Sequence, residues 1–320
     1  MQHRIDMTSS SAIRNTMKAL FDEEEKSRKK AHRTISYYHY TTPAAFISIF
    51  KTYIESSEHH VVTECSMRAT HLRFMNDTQE YNDGKKLFAE KWEKEHKGPF
   101  SMDTMDQYED EIYSISFCSN RDLLSQWKWY GKDSGIAIQF DMTNIAFKYY
   151  EPKFEIFEPS AWTEDEKKHF IKVESKDMLT KPLAVKYLDD DKERFYDDVK
   201  AELQEAIILQ SFPRVFFKLF VPFCKNTGFK EEEESRLVFF PVQDRNIQEI
   251  PIKYHVTNGI IKPSLDITFH AIDPSKNIIK EIVVGPGHNQ DMTVQLLKLI
   301  FRENEELYNN IRRSNIPFRG

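Results

Sequence analysis

The stretch that most constrains the fold is Phe229 to Phe240, FKEEEESRLVFF. Four consecutive carboxylates, Glu231 to Glu234, run through Ser235 and Arg236 into the apolar Leu237-Val238-Phe239-Phe240. A short apolar run holding Val and two Phe reads as a buried strand. The acidic run therefore stands where the chain passes from water into a core. Side chains alternate along a strand, which puts Glu232, Glu234 and Arg236 on one face and Glu231, Glu233 and Ser235 on the other. Same-face neighbours then lie about 7 Å apart, from a rise of roughly 3.3 Å per residue. If the first face lines a cleft, it offers two carboxylates and a guanidinium. If it meets water, the run is a solvated acidic loop.

At 320 residues the chain can bury a large core, as one big domain or two smaller ones. Aromatic content is high, at 13%, and such rings either fill a core or line a pocket that stacks planar ligands. Only nine glycines argue against long flexible linkers. Neither G-x-G-x-x-G nor G-x-x-x-x-G-K-[ST] occurs, which removes the common phosphate-cradling loops. The net charge of −6 gives no global basic field toward nucleic acid or membrane. Cys65, Cys118 and Cys224 lie far apart with no C-x-x-C spacing, as expected of a reducing compartment and of no familiar zinc site. No apolar run is long enough for a signal peptide or a membrane span. A cytoplasmic protein with no membrane partner is expected.

Along the chain, Ala12 to Lys30 carries a helical apolar stripe of Ile13, Met17, Leu20 and Phe21. Residues 1–34 form a helical arm, either a packing helix or a partner-binding one. Residues 35–320 form a single domain. Ile35 to Thr42 is strand-like, and Pro43 opens a helix directly after it. His39 therefore lies near a strand end, as a satisfied core histidine or a ligand group at the strand's mouth. Ser66 to Met75 alternates through Met67, Ala69, His71, Arg73 and Met75. It then breaks at Asn76-Asp77, with Glu80 at capping-box spacing. A buried Arg73 would need a carboxylate or phosphate. Between strands at Glu111–Ser119 and Gly135–Asp141, the helical turn LLSQWKWYG holds Trp127, Trp129 and Tyr130, a core plug or a stacking wall. Residues 142–180 read as a charged insertion. A long helical segment is expected over Lys192–Leu219, interrupted before Pro213. Further strands are expected at Pro182–Tyr187, Ile260–Leu265, Asp266–His270 and Ile278–Val284, and a helix over Thr293–Tyr308.

Hydrolysis by a serine or cysteine nucleophile has no supporting motif. Metal chemistry has only the isolated pair His59-His60. What remains is a pocket of His39, Arg73, the Trp127–Tyr130 cluster and Glu234.

Several pieces, taken together, resemble a large, mostly bacterial family known only as a domain of unknown function. They are YHYTTPAAFISIF (38–50), RATHLRFMNDTQEY (68–81), SISFCSNRDLLSQWKWYG (114–131), GIAIQFD (135–141), CKNTGFKEEEESR (224–236), IIKP (260–263), EIVVGP (281–286) and SNIPFR (314–319). Ser235 and Thr78 depart from the family pattern, and residues 1–34 lie outside it. A second resemblance is to the ADP-ribosyltransferase plan: a strand-borne Tyr-His-x-Thr followed by a helix, a central aromatic element, and a late Glu at the start of a strand. That resemblance implies an α+β fold of mixed or antiparallel sheets with peripheral helices around an ADP-ribosyltransferase-like core. It also implies NAD as substrate. His39 and Thr41 would orient NAD, Trp127 or Tyr130 would stack on nicotinamide, and Arg73 would bind phosphate. Glu234 would be catalytic, with Glu232 as helper. The acceptor would be RNA or DNA rather than protein, and the biological setting a toxin–antitoxin or phage-defence system with an antitoxin partner. The same residues leave two other readings open, an NAD glycohydrolase and a non-catalytic partner-binding module.

Overall fold

The computed structural model of the chain describes residues 2–30, 35–56, 60–75, 82–96, 112–130, 134–148, 181–204, 212–239, 252–257 and 259–317. Its framework is one eleven-stranded sheet. The strands in chain order are β1 (Tyr37–Thr41), β2 (Glu64–His71), β3 (Tyr113–Cys118), β4 (Ile136–Phe140), β5 (Ile145–Lys148), β6 (Leu183–Ala184), β7 (Glu234–Phe239), β8 (Lys253–Thr257), β9 (Ile260–Ala271), β10 (Ile279–Val284) and β11 (Ile311–Arg313). The main path runs β11-β10-β4-β1-β3-β2-β9-β5, with β7 and β6 added beyond β3 and β8 paired to β9. Among the described strands only β10 and β11 pair in parallel; the other strand pairs are antiparallel. The fold is thus α+β, with a mixed, mostly antiparallel open sheet.

The helices form two groups. On one face of the sheet lie α2 (Pro43–Ile49) and α3 (Lys51–Glu55), and toward the C-terminus α8 (Gln290–Ile300) and α9 (Glu305–Asn309). Thr42 caps α2 by accepting a hydrogen bond from the Ala45 amide, with Pro43 in the first turn, as the sequence pattern predicts. Phe46, Phe50, Val294, Leu297 and Phe301 from this group join Ile115, Phe117, Ile138, Phe140 and Phe269 of the sheet in the main core. A second core is built by α1 (Gln2–Lys30), α4 (Asn82–His96), α6 (Asp189–Gln204) and α7 (Phe212–Phe220). It is dense in rings, including Phe88, Tyr196, Phe216 and Phe220. Between α4 and α6 in the chain comes the short α5 (Leu124–Tyr130).

Several expectations are corrected here. The N-terminal helix begins at Gln2, and Met17 and Leu20 are buried in the second core. Glu24 also accepts hydrogen bonds from the Ala184 amide and Lys186 Nζ. The C-terminal half of this helix is thus a packing helix, one of the two readings the sequence left open. Residues 145–148, expected within an insertion, are strand β5, because Ile145 and Phe147 supply apolar side chains to the main core; residues 149–180 lie outside the described set. Ile260 to Ala271 is one continuous strand rather than two. The helix expected over Thr293–Tyr308 is two helices, α8 and α9, and Asn304 between them caps α9 by accepting from the Leu307 amide. Asn76, Asp77 and Glu80 lie outside the described residues.

One feature of the topology positions the site. Along one edge β3 pairs with β1 at Cys118, and with β2 at Ser114 and Tyr113. Ser116 pairs with neither. The sheet splits there, with β1 and β2 diverging, while β7 holds the other edge of β3 along its whole length.

Candidate functional site

The cleft opens at this split and has two lobes. The smaller, about 290 Å³, is lined by Tyr38, His39, Ser116, Phe117, Cys118, Trp129, Lys225, Phe229, Glu232 and Glu234 among others. The larger, about 600 Å³, includes Thr41, Arg68, Thr70, Arg73, Ser114, His255, Lys262 and Asp266. His39, Tyr40, Met75, Ser116 and Trp129 line both.

The register explains which side chains meet there. Glu234 pairs with Cys118 and Arg236 with Ser116. Ser114 pairs with Thr70, Thr70 with Ser264, Arg68 with Asp266, and His255 with Lys262. Residues paired across strands share a face. One polar face thus runs from Glu234 across four further strands to His255. The opposite face carries Ile115, Phe117, Met67, Ala69, Leu265 and Ile267 of the main core.

The acidic run enters this floor differently from a simple strand alternation. Glu231 and Glu232 close a 3-10 turn over Thr227–Glu232, capped by Asn226, whose side chain accepts from the Gly228 amide. Glu233 follows at φ 42°, in the left-handed region, and the strand begins only at Glu234. The turn sends Glu231 and Glu233 to solvent while Glu232 and Glu234 face inward. Arg236 is fully buried and grips Glu234 with Nε at 2.6 Å and Nη2 at 2.8 Å, while Nη1 donates to the Pro222 carbonyl at 2.7 Å. Lys225 Nζ bridges Glu232 at 2.6 Å and Glu234 at 3.1 Å. Burial opposes the ionisation of Glu234, but the charges of Arg236 and Lys225 outweigh it and hold its pKa at about 2. The carboxylate stays ionised near neutrality and has no proton to give.

His39 is half-buried at the split. Its Nδ1 lies 3.0 Å from the Ser116 carbonyl, the group left between the two diverging strands. A carbonyl only accepts, so Nδ1 carries the hydrogen. Burial lowers the pKa of His39, with the Ser116 bond opposing. The ring is therefore neutral near pH 7, and Nε2 is its lone-pair nitrogen.

The larger lobe is cationic. Arg68, Arg73 and Lys262 face a single carboxylate, Asp266, among its described lining residues. Thr41 lines this lobe, as does Arg73. Arg73 sits on a 3-10 turn, Leu72–Phe74, beyond the end of β2, so it departs from the strand alternation expected of it.

The aromatic residues divide. Trp127 lies in a small core with Tyr38, Tyr40, Ala137 and Val283. Its indole N–H donates to Asp122 at 2.7 Å, and its ring packs on Gly285. It is not among the lining residues of either lobe, because α5 turns it into the sheet. Tyr130 ends α5, and its side chain is outside the described set. Trp129, 67% exposed, lines both lobes. Lys225, Arg68, Lys262 and His255 also line the cleft, without a motif in the sequence that marks them. The Ser66-x-Arg68-x-Thr70 alternation on the polar side of β2 carried the signal for Arg68. Among the described residues no group of three or more His, Cys, Asp or Glu converges as metal ligands would, and no helix is long and apolar enough to cross a membrane. All three cysteines are free and buried.

A family model described as Protein of unknown function (DUF2971) matches residues 126–237. The matched stretch runs from α5 to the middle of β7 and includes Trp127, Trp129, Lys225, Glu232, Glu234 and Arg236. It bears out the resemblance to a domain-of-unknown-function family. No curated protein and no solved structure matches the chain.

Proposed function

We propose that the cleft consumes NAD and transfers its ADP-ribosyl group to a macromolecule. The observation that carries this reading is the charge layout: a lobe holding two ionised carboxylates, paired at rest with Lys225 and Arg236, adjoins a cationic lobe across one neutral histidine. NAD has a matching layout, with a positively charged nicotinamide ring at one end and a diphosphate in the middle. The nicotinamide riboside would sit beside Glu232 and Glu234, against Trp129. The diphosphate would sit beside Arg73, with Thr41 and His39 holding the ribose.

The bond that breaks joins the ribose C1′ to the nicotinamide nitrogen, and its electron pair leaves on neutral nicotinamide. Positive charge then moves onto the ribose. Carboxylates held ionised in a partly buried lobe favour that state over the ground state, which is what lowers a barrier. An acceptor hydroxyl or amine attacks C1′ and loses its proton, for which His39 Nε2 is the available base. Lys225, now bridging Glu232 and Glu234, occupies part of the charge the ribosyl cation would meet, so it has to shift as substrate enters. Nucleic acid is favoured over protein as acceptor, by analogy with bacterial toxins of this plan. An enzyme of this kind would arrest a bacterial host unless a partner neutralised it.

The test is purified protein with adenylate-labelled NAD, with RNA, DNA and protein present in separate reactions. Nicotinamide release with label on one acceptor is expected, and loss of both in Glu232→Gln and His39→Ala. Nicotinamide release without any labelled acceptor would favour glycohydrolysis. Neither release nor labelling from folded protein would overturn the reading.

A further inference from the structure

We propose that Arg68, Lys262, His255 and Ser114 form a phosphate-binding site in the cationic lobe, which Arg73 also lines. The site is built on three neighbouring strands and on β3. The Lys262–His255 pair and the Ser114–Thr70 pair fix its two ends by backbone register. Arg68 stands between them on β2, and all these side chains lie on the polar face of the sheet.

Two orphaned polar atoms point to a missing ligand. Ser114, 3% exposed, has a buried hydroxyl with no hydrogen-bond partner among the described residues. His255 Nδ1 is buried in the same condition. Leaving such groups unpaired forfeits their solvation without replacing it, so a native fold keeps them where a ligand or water completes them. Both residues line the lobe, and a rotation of either side chain would let it donate to a phosphate oxygen.

Charge points the same way. Arg68 is the nearest match to a phosphate fork, and its guanidinium is only loosely held, 3.9 Å from Asp266. Asp266 is instead taken by Lys253 Nζ at 2.6 Å. Arg68 and Lys262, after burial itself, depress the pKa of His255, which reports how closely the three are gathered. An arriving phosphate would relieve this repulsion and satisfy the orphaned donors together.

A phosphate there could come from a dinucleotide or from a nucleic-acid backbone, and the two are separable. Full-length protein would be titrated calorimetrically with inorganic pyrophosphate, with NAD and with a short single-stranded oligonucleotide. Pyrophosphate binding is expected, and roughly tenfold to a hundredfold weaker in Arg68→Ala and in Lys262→Met, the range set by losing one charge-assisted contact. Arg68 is 44% exposed at its side chain, so its removal leaves a folded protein, and thermal melts check this. Competition by NAD would assign the site to the dinucleotide; competition by the oligonucleotide alone would assign it to a backbone. No pyrophosphate binding by the wild type, or equal binding by both variants, would overturn the proposal. Failure of NAD turnover with pyrophosphate binding intact would count against the NAD reading only.

Discussion

Arg236 has no exposed surface, and its charge is answered inside the protein by Glu234 and the Pro222 carbonyl. Removing one partner of such a pair strands the other in low dielectric, which costs about 3–5 kcal/mol. Arg236→Met is expected to lower the unfolding free energy by about that amount in urea titrations. The same pair sets an acid limit on stability. The carboxyl of Glu234 falls from an ordinary 4.5 to about 2 on folding, so the unfolded chain binds the proton more tightly. The stabilisation is complete above pH 4.5 and fades as pH drops toward 2, on the order of 3 kcal/mol in all. Denaturation between those pH values should steepen in the wild type and be flatter in Glu234→Gln. Because that variant also loses a buried pair, Glu232 and His39 are the better positions for testing catalysis. Trp129 is better still for testing binding: Trp129→Ala removes an exposed ring and should move stability by no more than about 0.5 kcal/mol.

Secondary elements place the site by packing as much as by pairing. Gly285 follows β10, and a Cβ there would lie 2.5 Å from Cε3 of Trp127. That ring cannot yield, since its N–H is tied to Asp122, which also accepts from Ser314 Oγ and the Asn315 amide. Gly285→Ala should therefore cost about 1–3 kcal/mol, the range for overpacking a filled core, measured as a fall in melting temperature. These contacts also show what was legible in advance. The apolar run after Arg236, the alternation of β2 and β4, and the Thr42-Pro43 start of α2 all follow from local periodicity and capping chemistry. The pairing of Glu232 with Glu234 was legible too, though by a turn rather than by a strand. The bond of Trp127 to Asp122 was not, because the choice between Trp127 and Trp129 rests on how α5 docks against a distant glycine. Lys225 was equally hidden. Nothing near it in sequence says that its amine reaches back to two carboxylates seven and nine positions later.

At the scale of the whole molecule, the sheet separates two apolar bodies, and the cleft lies where its strands part. The helical body depends on the N-terminal helix: Met17 and Leu20 are each under one-tenth exposed within it. Leu20→Ala should destabilise by about 2–4 kcal/mol, read in the same urea titrations, with NAD binding by the folded fraction unaffected because Leu20 is not among the described residues lining either lobe. The split itself could not be foreseen from sequence, since it depends on one long-range fact: β1 and β2 share a single edge of β3. The ligand specificity of the cleft is the central claim, and calorimetric binding of NAD to the wild type and to Trp129→Ala tests it most directly. Saturable one-to-one binding by the wild type, weaker by roughly twofold to tenfold in the variant, is the expected result, since a stacked aromatic contact contributes roughly 0.5–1.5 kcal/mol beyond the area it buries. Absence of binding to a folded wild type, or binding that Trp129→Ala leaves unchanged, would contradict the account.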